Sequence, residues 1–192
     1  MTLWYLNRAT GVVSLVLFTA VMLLGVAVHL RTRLPGLPRF GTVTLHRSVS
    51  LIAVVFLGLH IVTAVADSYV SISVADVVVP FAGSYEPLWL GLGTVAFDLM
   101  LAVVATSLLR ARLGHRTWRA VHWLAYASWP LAVVHGLGIG TDLASGWLLW
   151  LGIGCVAAVA AALVARVTLA PRRRGPADLL QTPRPSSRTI GV

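Results

Sequence analysis

Lysine is absent from the 192 residues, cysteine occurs once, and only six acidic residues stand against 15 arginines. A single Cys155 excludes an internal disulfide, and no Cys-x-x-Cys-His stretch is present for covalent cofactor attachment. Lying among alanines and glycines, Cys155 reads as a packed, inert thiol. Charge is scarce as well, at 11% of residues against 58% hydrophobic and a mean hydropathy of +0.87. That balance excludes an ordinary soluble domain of this length and makes the lipid bilayer the solvent.

Crossing about 30 Å of hydrocarbon takes roughly 20 apolar residues per helix. Five runs meet that length: Ala9–Leu30, Thr42–Ala66, Leu88–Leu109, Arg119–Ile139 and Gly146–Leu169. The first exceeds the 7–15 residue core of a secretory signal and has no small-residue cleavage site, so it reads as a helix of the protein. The expected fold is an all-α integral membrane bundle of about five transmembrane helices.

The arginines set the expected orientation. Arg31, Arg33, Arg39 and Arg47 fall around the first connection, Arg110, Arg112, Arg116 and Arg119 around the third, and Arg166, Arg172, Arg173, Arg174, Arg184 and Arg188 toward the end of the sequence. The other connections hold acids only, Asp67, Asp76 and Glu86 in one and Asp142 in the other. The positive-inside rule then puts the N-terminus outside and the C-terminus in the cytoplasm. The net charge of +9 reads as topology, not as a nucleic-acid surface. Leu34-Pro35-Gly36-Leu37-Pro38 breaks the first connection. Residues 171–192, rich in Arg, Pro and Ser, read as a disordered basic cytoplasmic tail that anchors on anionic lipid or docks a partner.

Of six histidines, four sit in alternate helices, His46 and His60 in the second and His122 and His135 in the fourth. Those helices run the same way, which places His46 with His122 near the cytoplasmic face and His60 with His135 near the outer face. Fourteen residues rise about 21 Å and turn about 1400°, so His46 and His60 share a helix face. Thirteen residues rise about 20 Å, so the second pair matches in depth, but their 1300° leaves the rings some 140° apart on an ideal helix. Pro130 between them is expected to kink the helix. A separation near 20 Å rules out one metal ion bound by all four imidazoles, since metal–nitrogen bonds are about 2 Å. Ligation by all four then needs two centres, and a flat iron macrocycle gripped by one imidazole from each helix satisfies both the ligand chemistry and the apolar surroundings; the alternative is four structural histidines hydrogen-bonded inside the bundle.

The arrangement His46-x13-His60 followed two helices later by His122-x12-His135 resembles the ferric reductase-like transmembrane domain of ferric reductases and NADPH oxidases. The run Leu113-Gly-His-Arg-Thr-Trp-Arg-Ala-Val-His122 also resembles that family's approach to its fourth-helix histidine. The resemblance spans roughly residues 9–170 and implies a di-haem domain over 1–170. It further implies two haem b, with His46 and His122 on the inner iron and His60 and His135 on the outer. The larger oxidases carry flavin and nicotinamide sites after the last helix, and residues 171–192 are too short for one. Gly136-x-Gly138-x-Gly140 closes a membrane helix with no strand before it, so it reads as close helix packing and not as a dinucleotide loop. Electrons are therefore expected from a separate flavoprotein or a membrane quinol, with an extracytoplasmic acceptor or redox partner, in a bacterial plasma membrane. The all-arginine basic set fits a GC-rich bacterial genome.

Arg47 and Arg119 flank the inner histidines, where they either clamp propionates through charge-assisted bonds or anchor the cytoplasmic side. Asp98, about ten residues into the third helix, either accepts a proton, or supports a ligand imidazole, or is simply a bonded acid inside the bundle. His29 and His115 read as solvated groups at the cytoplasmic edge. Trp123 and Trp129 read as core packing, and the apolar stretch within Asp67–Pro87 as a cover for the outer site. Two other functions stay open: a haem-binding subunit without turnover, and a small proton-coupled transporter using the histidines and Asp98.

Overall fold

A computed structural model describes residues 2–32, 39–139 and 146–169. Pro35, Pro38, Arg33, Gly140, Asp142 and the 171–192 tail lie outside the described residues. The described residues form helices and turns, without strands: α1 (Thr2–Leu30), α2 (Arg39–Ala66), α3 (Val74–Val78), α4 (Pro87–Leu108), α5 (Arg110–Leu113), α6 (His115–His122), α7 (Ala125–Ile139) and α8 (Gly146–Thr168). Backbone amides have no water to bond in hydrocarbon, so apolar runs of this length close their hydrogen bonds internally as helices. Four of the helices, Thr2–Leu30, Phe40–Ala66, Pro87–Leu108 and Gly146–Thr168, are long and apolar enough to span a membrane.

The expected fourth span is where the structure differs. Arg119–Ile139 is not one helix: α6 ends at His122, α7 begins at Ala125, and the 15 residues of α7 alone are short for a crossing. Between them the chain tightens into i→i+3 hydrogen bonds, from Leu124 N to Val121 O (2.9 Å), Tyr126 N to Trp123 O (3.0 Å) and Ala127 N to Leu124 O (3.0 Å). Such turns advance about 120° per residue instead of 100°. Over about five residues they add roughly 100° to the rotation from His122 to His135, most of what an ideal helix lacks. Pro130, one turn into α7, carries no amide for the Tyr126 carbonyl. Upstream, Gly114 at φ 74° separates α5 from α6. The architecture remains a bundle of about five helices, one of them divided.

α1 packs along α2 as an antiparallel pair, α4 packs along α7, and α8 lies against α1. Phe18 and Met22 of α1, Trp129 and Val133 of α7, and Cys155 and Val159 of α8 make the buried core. Cys155 is a free, buried thiol, as its neighbours implied. Two polar contacts tie the helices together inside the bundle: Ser128, fully buried, donates to the Ala96 carbonyl (2.8 Å), and Trp129 Nε1 donates to Thr19 Oγ1 (3.1 Å). Gly138 lies against the Trp89 indole, leaving no space for a Cβ. Trp123 departs from the core reading, being 52% exposed with the Arg166 guanidinium over its ring.

The connection between α2 and α4 is ordered by its own chemistry. Ser73 and Asp76 form a capping box at the start of α3. The Asp76 carbonyl accepts from Thr94 Oγ1 (2.7 Å), and the Phe81 ring rests on Gly91, which pins the connection to α4.

Candidate functional site

Between the α1/α2 pair and the α4/α6/α7 side lies a cavity of about 2200 Å³. This is roughly twice the upper end of ordinary small-molecule pockets. His46, His60, His122 and His135 all line it. At one end the wall includes Asp67, Val70, Ile72, Asp76, Val77 and Tyr85, so the α2–α4 connection does cover part of the cavity. At the other end stand Arg31, Arg47, Arg110, Arg119 and Arg166.

The histidines fall into two pairs. His60 and His135 are close enough to interact electrostatically at the loop end, and His46 and His122 do so at the arginine end. Among the described residues no cluster of three or more histidine, cysteine, aspartate or glutamate side chains converges on a single ion site. Among the described residues the four imidazoles stand as two pairs at the two ends of the cavity.

The two pairs are held differently. His60 Nδ1 lies 3.0 Å from the Asn7 carbonyl, and His135 Nδ1 lies 2.8 Å from the Trp89 carbonyl. A carbonyl only accepts, so both Nδ1 atoms carry the proton and Nε2 keeps the lone pair for a ligand bond. Asn7 answers through its side chain, donating from Nδ2 to the His60 carbonyl (2.8 Å) and to Thr63 Oγ1 (3.3 Å). At the arginine end, His46 Nδ1 and His122 Nδ1 are buried without a hydrogen-bond partner. The Val21 carbonyl approaches the His46 ring but falls short of hydrogen-bond geometry. The His122 ring is stacked on Trp118 (centroids 4.9 Å apart), over which Arg110 sits at 4.3 Å. Ser14, also on the cavity wall, has a buried hydroxyl without a partner.

Unpaired buried polar atoms are rare and ask for an explanation. Here three of them belong to residues that line one largely apolar cavity. A flat apolar group with polar substituents and a central metal suits such a donor set: imidazoles in facing pairs, apolar walls and most of the lining arginines gathered at one rim.

Arg47 and Arg119 are exposed residues at that rim, where Arg119 Nη2 also donates to His115 Nε2 (2.6 Å). The structure adds Arg31, Arg110 and Arg166 to them, the last hydrogen-bonded to the Tyr126 hydroxyl. His29 and His115 are exposed at this end, and His115 stacks on the Trp118 ring. Asp98 is half-buried on α4 and does not line the cavity. Sequence reasoning passed over Asn7, Gly11, Gly25 and Gly93, all of which line the cavity beside a histidine. One signal for them was present: Gly11 and Gly25 are separated by 14 residues, the same interval as His46 and His60 on the antiparallel partner helix.

The sequence matches the family described as ferric reductase like transmembrane component over residues 10–133. That stretch includes His46, His60 and His122 and ends two residues before His135. No curated protein and no solved structure matches the chain.

Proposed function

The chain belongs to the ferric reductase-like transmembrane family, and on that premise we propose that it moves electrons across the bilayer through two b-type haems. His46 and His122 hold the inner haem, His60 and His135 the outer. The observation that carries this reading is the pairing of the four imidazoles at two ends of one cavity. Bound between these pairs, haem iron supplies a one-electron couple at each depth.

The chain's own residues do the rest. The carbonyls of Asn7 and Trp89 fix the tautomer of the outer imidazoles and raise their basicity. The apolar wall excludes ions, which would pay a large penalty to enter it. Arg47 and Arg119, with Arg110 and Arg166, offer charge-assisted donors to carboxylates at the inner rim and a cationic face to a donor. The donor is a separate flavoprotein or a membrane quinol on the cytoplasmic side. The acceptor is outside, reached past the Asp67–Pro87 connection. Residues 1–170 form this di-haem domain, 171–192 its basic cytoplasmic tail, and the setting is a bacterial plasma membrane with the N-terminus outside.

The purified full-length protein tests this through its optical spectrum and haem-to-protein ratio, beside His60→Ala and His122→Ala. Two haems per chain are expected, each variant losing a different one. A chain that purifies with no Soret band refutes the reading.

A further inference from the structure

A Cβ built on Gly11 would lie 2.9 Å from Cε1 and 3.1 Å from Nδ1 of His60, and one on Gly93 would lie 2.5 Å from Nδ1 and 2.6 Å from Cε1 of His135. Each glycine follows by four residues the residue whose carbonyl receives the imidazole Nδ1–H, Asn7 for His60 and Trp89 for His135. In an α-helix the carbonyl of residue i points at residue i+4, so a side chain there flanks that oxygen. Glycine at i+4 bares the flank, and the imidazole lies where the methyl group would be. The same device appears on α1 toward α2 and on α4 toward α7, two separate helix pairs serving one pair of histidines.

The arginine end is built more loosely. Gly25 stands four residues after Val21 beside His46, but a Cβ there would meet Cε1 at 3.5 Å, an ordinary contact. The Nδ1 of His46 is unpaired. His122 has a stacked Trp118 in place of a carbonyl and a glycine.

We propose that Gly11 and Gly93 are positioning residues: each admits its histidine to the bared carbonyl one turn earlier, which fixes the ring plane of the His60/His135 pair and leaves Nε2 to ligate. This rests on the haem reading above. The strain of an added methyl falls on the imidazole, the movable partner, and not on a backbone. Its consequence is therefore a misplaced ligand in a folded helix.

The test compares wild type, Gly11→Ala, Gly93→Ala and Gly58→Ala. Gly58 is the control for a glycine replaced in a membrane helix, because a Cβ there meets nothing within 4 Å. Optical and low-temperature electron paramagnetic resonance spectra and redox titrations are recorded in membranes and on purified protein, so that a lower yield does not hide the signature. The expected result is that Gly11→Ala and Gly93→Ala shift or abolish the same one of two low-spin signals, the one His60→Ala removes. The other signal persists, and Gly58→Ala matches wild type. Wild type with two haems and Gly11→Ala and Gly93→Ala spectra superimposable on it overturns the proposal alone. So does equal disturbance by Gly58→Ala. Wild type without haem overturns the haem reading and this proposal with it.

Discussion

Replacing Trp118 by alanine removes the indole stacked on His122, and the effect follows from what else holds that imidazole. Its Nδ1 has no hydrogen-bond partner among the described residues, so the stack at 4.9 Å is the main restraint on the ring. An aromatic pair of this kind contributes about 0.5–1.5 kcal/mol beyond burial. Losing it frees the ligand and weakens haem binding at the inner site by about two- to tenfold. Trp118 also loses the Arg110 contact at 4.3 Å and its 3.3 Å donation to Ser107 Oγ, which lowers stability without touching the ligand. Trp118→Phe separates these effects, because it keeps a stacking ring and loses the indole N–H. Haem titration into depleted protein, with the His60/His135 site as internal reference, is expected to show a weaker inner site in Trp118→Ala and near-normal binding in Trp118→Phe. Equal weakening of both sites, or a phenylalanine variant no better than alanine, refutes the orienting role.

Replacing both Arg47 and Arg119 by glutamine removes positive charge from the inner rim, which favours the ferric state. The inner potential is expected to fall by roughly 20–40 mV per exposed charge, with the outer potential steady. An unchanged redox titration removes the clamp. Asn7→Ala loses the donations to the His60 carbonyl and Thr63 Oγ1 but keeps the backbone carbonyl that receives His60 Nδ1. At about 0.6 kcal/mol per intramembrane bond, thermal unfolding should move down by about 2–4 °C with unchanged haem spectra. A spectral shift as large as that of Gly11→Ala contradicts the assignment of that role to the backbone.

Most of the helical frame was legible because a bilayer imposes one rule on every spanning segment. Apolar runs such as Thr42–Ala66 and Leu88–Leu109 reappear as α2 and α4 within a few residues. The Arg119–Ile139 run misled for a physical reason. Hydropathy registers the apolar content of Trp123 and Leu124 but not their hydrogen bonding, and the i→i+3 turns there leave the run's composition untouched. Trp123 misled in the same way: an aromatic residue deep in an apolar run looks buried, yet the break in the helix carries it to an exposed face beneath Arg166.

The same break bears on the rotation of the fourth-helix histidines. A continuous helix leaves His122 and His135 about 140° apart, so a chain that offers both rings to one cavity has to add rotation between them. The tight turns supply most of it within the 13-residue interval. Histidine chemistry and interval were thus readable as numbers along the chain, whereas the supports were not, since Asn7, Gly11, Trp89 and Gly93 act on rings from other helices. A glycine in a membrane helix has many uses, and only the position of the facing imidazole picks out this one. The matched 14-residue intervals of Gly11/Gly25 and His46/His60 carry that information in the sequence. Reading it requires the antiparallel register of α1 and α2, which the Asn7 bonds to His60 and Thr63 fix.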